Sequence, residues 1–167
     1  EQLKGLPQSS IDLLKQYGQQ RELDQAVATL DIPSYLAIMT YAADRALREE
    51  LYKAYTTRAS DQSEQTEFDN TQVMEEILSL RQEMAQLLDF NNYAELSLAS
   101  KMAPDVATVD QFLVELAEHA RAPAEREIAE LKAIAQQDAI LDLQPWDTGY
   151  YSEKLKVQQF NLSQESL

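Results

Sequence analysis

Apolar residues recur at a helical period through most of this chain, most regularly between residues 70 and 88. Five of them lie 4, 3, 4 and 3 positions apart and therefore share one face of a helix. They are Val73, Ile77, Leu80, Met84 and Leu87. Acidic and amide side chains occupy much of the remaining surface and are expected to be solvated. The pattern predicts an amphipathic helix and a mainly α fold.

The same period predicts helices in most other parts of the chain. A helix at 44–58 carries an apolar face and four basic side chains: Arg45, Arg48, Lys53 and Arg58. A capping-box pattern begins another helix at about residue 108, and its apolar stripe continues to about Gln137. Pro123 should end or kink that helix near Ala122, because proline lacks an N–H and clashes with the preceding turn. Weaker patterns predict helices at 9–17, 35–43, 93–100 and 147–160.

Residues 26–32 are the one plausible strand, because they are partly β-branched and stop at Pro33. A lone strand needs a partner, and the sequence offers none. Residues 60–67 are polar without an apolar period and are predicted to form a surface loop. We therefore expect an irregular multi-helix bundle with at most one short strand, forming a single unit over 1–167 with candidate internal boundaries near 60–68 and 101–107.

Composition excludes several classes of function. The formal charge of −15 argues against nucleic-acid binding and against docking on anionic membranes, since both need Lys and Arg. The absence of Cys excludes disulfides and thiolate metal sites. Three widely separated glycines exclude a Gly-rich phosphate loop, and no apolar run is long enough to predict a membrane span. Both ends resemble cuts in a longer polypeptide, and a further helix is predicted to begin after Ser163.

Two groups of side chains are candidates for chemistry. Glu115 and His119 share a helix face and have the spacing of metal ligands, but the chain has no second histidine, so an exposed helical ion pair is favoured. Trp146, Tyr150 and Tyr151 form an aromatic cluster that can line a peptide groove, while ordinary core packing is the more common use of such residues.

Five stretches in order along the chain resemble the thimet-oligopeptidase family of zinc metallopeptidases. They are Leu-Asp-Ile-Pro-Ser-Tyr at 30–35, the segment 47–60 that ends Tyr-Thr-Thr-Arg-Ala-Ser, Asp-Asn-Thr at 69–71 with 77–85, Tyr-Ala-Glu-Leu-Ser-Leu-Ala-Ser-Lys-Met-Ala at 93–103, and Leu-Gln-Pro-Trp-Asp at 143–147 with Tyr-Tyr-Ser-Glu-Lys-Leu at 150–155. Together these stretches extend over nearly the whole chain and are more specific than any one of them.

The resemblance implies a cytoplasmic, mostly helical enzyme whose two lobes enclose a channel for short peptides. Family members hold zinc with a His-Glu-x-x-His helix and a later Glu, and the helix Glu acts as general base on the zinc-bound water. This sequence contains no His-Glu-x-x-His, so we assign it no catalytic or metal residue. It matches the part that precedes the catalytic core, much of it wall of the lobe opposite the zinc helix. By itself the segment is expected to bind no zinc and to be inactive.

Within that family, Tyr35, Trp146, Tyr150 and Tyr151 are our candidates for residues near the substrate channel. The alternative is a stand-alone acidic helical interaction module that shares ancestry with the peptidases and binds a partner. Under the first interpretation, helices that normally pack on the rest of the enzyme will expose apolar stripes here. Such stripes favour self-association of the segment.

Overall fold

The computed structural model describes residues 2–163, so the helix predicted after Ser163 lies outside the described residues. Within this range the chain forms seven α-helices and no strand. They are α1 (Gln8–Gln20), α2 (Ile32–Tyr41), α3 (Arg45–Thr57), α4 (Thr71–Leu87), α5 (Tyr93–Leu98), α6 (Val106–Gln137) and α7 (Pro145–Phe160), with a short 3₁₀ turn at Thr66–Phe68. The predicted mainly α fold class is confirmed.

The candidate strand at 26–32 does not form, which agrees with the expectation of at most one short strand. Its first residues form no regular secondary structure. Two of its backbone N–H groups donate to residues of neighbouring helices instead of to a second strand. The N–H of Val27 donates to the carbonyl of Leu14 in α1, and the N–H of Thr29 donates to the buried Ser34 hydroxyl in α2, each at 2.9 Å. Pro33 lies in the first turn of α2, where its missing N–H costs nothing. The residue that we interpreted as stopping a strand therefore helps to begin a helix.

Gly18 allows this segment to cross α1. A Cβ atom at that position would lie 1.8 Å from the carbonyl oxygen of Gln25, which is far inside van der Waals contact. The close approach of backbone to helix thus requires glycine.

Pro123 lies inside α6 and does not end it, because the helix runs from Val106 to Gln137 without interruption. Of the two predicted effects of Pro123, an end of the helix near Ala122 is therefore wrong, and a kink there stays a prediction. The prolyl nitrogen cannot donate to the carbonyl four residues earlier, so this one helical hydrogen bond is absent.

The chain divides into two compact units. Unit 1 comprises the chain up to Thr57 and from Ile128 onward, and unit 2 comprises 58–127. In unit 1, α2 packs against α1, α3 and α7. One core cluster contains Leu14, Ile38, Ala42 and Leu51, and a second joins the end of α6 to α7 through Leu131, Ile134, Ala135 and Tyr151. The internal boundaries near 60–68 and 101–107 stay predictions.

Unit 2 has almost no core. Between residues 58 and 127, Ala85 of α4 is the one buried residue, although α4 packs against α5. Every member of the α4 stripe is exposed, from 42% at Ile77 to 84% at Leu87. Large apolar side chains of α6, including Phe112 and Leu116, are exposed as well. The predicted helix and its stripe are confirmed, but the structure leaves the stripe uncovered.

Candidate functional site

A buried carboxylate at the start of α7 organises the most elaborate group of polar contacts in unit 1. Asp147 is fully buried and accepts the backbone N–H of Gln144, which forms a capping box with it. Arg45 donates to both carboxylate oxygens, at 2.8 and 3.1 Å, and Arg48 donates to Oδ1 at 2.8 Å. We call Arg45, Arg48 and Asp147 the clamp, because they fasten the first turn of α7 to α3.

Arg48 connects a third element to the clamp. Its guanidinium donates to the carbonyl of Ala42, which follows α2, and to the carbonyl of Trp146, at 2.6 and 3.1 Å. The side chain is 2% exposed, whereas that of Arg45 is 37% exposed. The buried charge is therefore paired and hydrogen-bonded on several sides, as a buried guanidinium requires.

Burial by itself raises the pKa of the Asp147 carboxyl, since it disfavours the charged form. Hydrogen bonds from Arg45 and Arg48 and from the Gln144 backbone outweigh that effect, and the pKa is lowered overall. The carboxylate thus remains ionised at neutral pH, and the clamp keeps its charges.

The clamp lies beside a half-buried group of aromatic rings, which we call the aromatic surface: Tyr35, Tyr52, Tyr55 and Trp146. Tyr35 of α2 stacks on Tyr55 of α3 with centroids 4.1 Å apart, and Tyr52, one turn earlier in α3, lies 5.9 Å from Trp146 of α7. The pKa of Tyr35 is raised, mainly by burial and further by Tyr52 and Tyr55. Helix α3 thus joins two residues that the sequence analysis selected separately.

Cations border the aromatic surface. The Arg45 guanidinium and the Lys53 ammonium lie 5.9 and 5.6 Å from the Trp146 ring centroid. Trp146 Nε1 is buried and has no hydrogen-bond partner among the described residues. Half-buried rings with polar edges offer an extended peptide both apolar contact and hydrogen bonds.

Tyr150 and Tyr151 occupy different environments. Tyr150 is half-buried and lies under the Arg48 guanidinium, 4.3 Å from ring centroid to Cζ. Tyr151 is 2% exposed and donates its hydroxyl to Asp138 at 3.2 Å. Burial, with Asp138, raises the pKa of Tyr151 to about 12. The channel role of both residues stays a prediction, and the burial of Tyr151 favours core packing for that residue.

Sequence reasoning missed the clamp. Arg48 was counted only among the four basic side chains of α3, but its side chain is buried. A signal was present, since Arg48 lies 3 positions before Leu51 and 7 before Tyr55 and therefore shares a helix face with both. An arginine on that stripe implies a buried acid, and the Pro-Trp-Asp segment supplies it.

The part of the chain that the structure describes presents no arrangement that fits a zinc site. In residues 2–163 no group of three His, Asp or Glu side chains comes together as metal ligands. The Glu115 carboxylate accepts from Gln111, and the exposed His119 ring lies 2.7 Å from the Glu115 backbone carbonyl. The pair therefore makes local helical contacts. Among the described helices, none is both long and apolar enough to cross a membrane.

Residues 38–167 match the model of peptidase family M3, and the chain belongs to this family of peptidases. It is 51% identical to oligopeptidase A of Escherichia coli over 99% of its length. It is 38% identical to the probable cytosolic oligopeptidase A of Arabidopsis thaliana, and 28% identical to dipeptidyl carboxypeptidase of E. coli. The matches span 25%, 24% and 24% of these proteins, so the chain covers about a quarter of their length. The family resemblance is confirmed.

Proposed function

We propose that this chain is a segment of a cytoplasmic zinc metallo-oligopeptidase that hydrolyses short peptides. The family match and the identity to oligopeptidase A support a peptidase, and the word cytosolic in the name of the plant relative supports the compartment. The residues of this segment build part of the substrate channel and leave the catalytic centre to other parts of the longer polypeptide.

The proposal that this segment forms part of the channel wall is based on the aromatic surface. It combines Tyr35, Tyr52, Tyr55 and Trp146 from three helices, and its rings are half-buried instead of lying in the core. The clamp fixes α7 against α3 and so holds Trp146 in place. A wall of rings on a rigid support contacts peptides of varied sequence, because ring faces are not selective for one side chain.

A photochemical experiment tests this contact in the longer polypeptide. Replacing Tyr35 by p-benzoylphenylalanine should give a crosslink to a biotinylated peptide of about eight residues. The same replacement at Phe160, which is 65% exposed at the end of α7, is the control and should give none. Equal crosslinking at both positions would contradict a channel wall at the aromatic surface.

The 167-residue chain alone should not hydrolyse peptides. It has one histidine, and its described residues do not assemble a metal site, so nothing in it matches the zinc-binding motif of the family. Incubation of the purified chain with zinc and a quenched fluorescent peptide should give no hydrolysis that a chelator abolishes. Chelator-sensitive turnover would show that the catalytic centre has been assigned to the wrong part of the polypeptide.

The second candidate is an acidic helical module that binds a partner by itself. The uncovered stripe of α4 favours it, since exposed apolar surface of this extent marks an interaction site. The reading frame distinguishes the two candidates. A His-Glu-x-x-His within the following few hundred codons supports the peptidase, whereas a stop codon near Leu167 supports the module.

A further inference from the structure

The stripe of α4 has the spacing of a coiled-coil seam. Its five members occupy successive a and d positions, with Ile77 and Met84 at a and the other three at d. The seam runs from Val73 to the end of α4 at Leu87, about 22 Å at the helical rise. Because all five side chains are exposed, this seam is ready to receive a second helix by knobs-into-holes packing.

The two flanks of the seam differ. On one side α5 packs against α4, where Ala85 is buried and the Arg81 guanidinium lies 5.0 Å from the Tyr93 ring centroid. On the other side the g positions hold Glu76 and Glu83, both exposed. A helix that packs on the seam therefore faces the carboxylates of Glu76 and Glu83 along the flank that α5 leaves open.

The negative net charge of unit 2 also favours a basic partner helix. Residues 58–127 contain 15 acidic and 5 basic side chains, a net charge of −10. A second copy would bring two such units together and experience like-charge repulsion, which opposes the self-association expected from the apolar stripes alone. A helix with Lys or Arg facing Glu76 and Glu83 gains attraction at the same place.

The near absence of a core identifies the source of this helix. With Ala85 as the one buried residue between 58 and 127, unit 2 buries too little apolar surface to offset the entropy of ordering its chain. Its cover must therefore be present permanently, as an intramolecular segment is. The relatives are about four times as long as the matched region, which leaves ample chain to supply it.

We propose that the α4 seam is covered by a basic amphipathic helix from another part of the longer polypeptide. This helix has apolar residues at alternating spacings of 3 and 4 and Lys or Arg opposite Glu76 and Glu83. The inference relies on the proposed function only for the existence of that longer polypeptide.

Thiol labelling tests the cover in the longer polypeptide. The 167-residue chain has no Cys, so Leu80→Cys places a single thiol on the seam. This thiol should react quickly with maleimide in the 167-residue chain and at least about ten-fold more slowly in the longer, peptide-hydrolysing protein. Glu75→Cys, on the opposite face of α4, is the control and should react quickly in both. Equal rates at Leu80→Cys in an active longer protein would overturn the inference and leave the proposed function intact.

Synthetic peptides test the charge requirement. Two 21-residue peptides carry Leu at a and d, with Lys at e and g in one and Glu in the other. The 167-residue chain should bind the Lys peptide at least about ten-fold more tightly, and the double variant E76K/E83K should reverse the preference. The variant E64K/E75K has the same net charge and is the control, which should keep the original preference. Reversal by the control, or seam-dependent dimerisation of the unmodified chain that L80S abolishes, would overturn the inference.

Discussion

Replacing Asp147 by alanine should be among the most destabilising single changes in unit 1. The substitution leaves the Arg48 guanidinium, 2% exposed, without its carboxylate. Removing one partner of a buried ion pair costs about 3–5 kcal/mol, because the remaining charge stays desolvated. Loss of the capping box adds to this in the same direction, by about 1 kcal/mol at the start of α7.

Urea unfolding of the 167-residue chain measures this cost. Trp146 is the single tryptophan and belongs to the aromatic surface beside the clamp, so its fluorescence reports unit 1, and far-ultraviolet circular dichroism provides a second signal. The matched control is Glu49→Ala, whose carboxylate is 38% exposed and pairs with Lys53 one turn later in α3. An exposed pair contributes about 0–1 kcal/mol, so the control should lose much less.

A double-mutant cycle separates the ion pair from simple loss of packing. The cycle consists of Arg48→Met, Asp147→Ala and the double variant that combines them. The double variant leaves no buried Arg48 charge without its partner, so it should be more stable than Asp147→Ala by about 2 kcal/mol or more. Equal losses of stability in Asp147→Ala and Glu49→Ala would show that the clamp does not hold α7.

Acidification should remove the contribution of the clamp. The hydrogen bonds that hold the Asp147 pKa below its ordinary value of 3.8 stabilise the fold above that pH, and this stabilisation is lost as the pH falls through the lowered pKa. The difference in unfolding free energy between the unmodified chain and Asp147→Ala should therefore be constant near neutrality and shrink below about pH 4. A difference that grows on acidification would contradict the ionised state of Asp147.

Two further changes test the packing of unit 1. Gly18→Ala should lower the free energy of unfolding, measured with urea, by about 1–3 kcal/mol, since its Cβ would lie 1.8 Å from a backbone carbonyl oxygen. Gly149→Ala is the control and should cost less, because its Cβ would have no neighbour nearer than 3.1 Å. Equal losses in the two variants would contradict the close crossing at α1. In an ultraviolet titration one of the 8 tyrosines should ionise near pH 12, and Tyr151→Phe should remove that step. A step near pH 12 that persists in the variant would place the buried phenol elsewhere.

Helical periodicity was sufficient to predict the seven described α-helices, with ends correct to within a few residues. Apolar side chains of a helix repeat every 3 or 4 positions whatever they pack against. Two prolines were harder to interpret, since Pro33 lies in the first turn of α2 and α6 does not end at Pro123. A proline is tolerated in the first turn of a helix, and one inside a long helix removes only a single hydrogen bond. Local sequence does not reveal which of these situations holds.

The contacts of the candidate site were harder to predict. Trp146 was selected as part of an aromatic cluster and Tyr35 from the family resemblance, but Tyr52 and Tyr55, which connect them, were not selected as site residues. The buried state of Arg48 depends on Asp147, 99 residues later in the chain. Such pairings are set by tertiary packing, and a periodic pattern reports only which face of a helix is apolar.

Peptide hydrolysis by the longer polypeptide tests the central claim most directly. The claim is that the aromatic surface is a wall of a peptidase channel, and Tyr35→Ala removes a ring from it without touching the clamp. A lost ring contact of about 0.5–1.5 kcal/mol should raise KM for an eight-residue peptide roughly 2- to 13-fold and leave kcat nearly unchanged. Phe160→Ala should change neither constant. Unchanged KM and kcat in a folded Tyr35→Ala enzyme would contradict the claim.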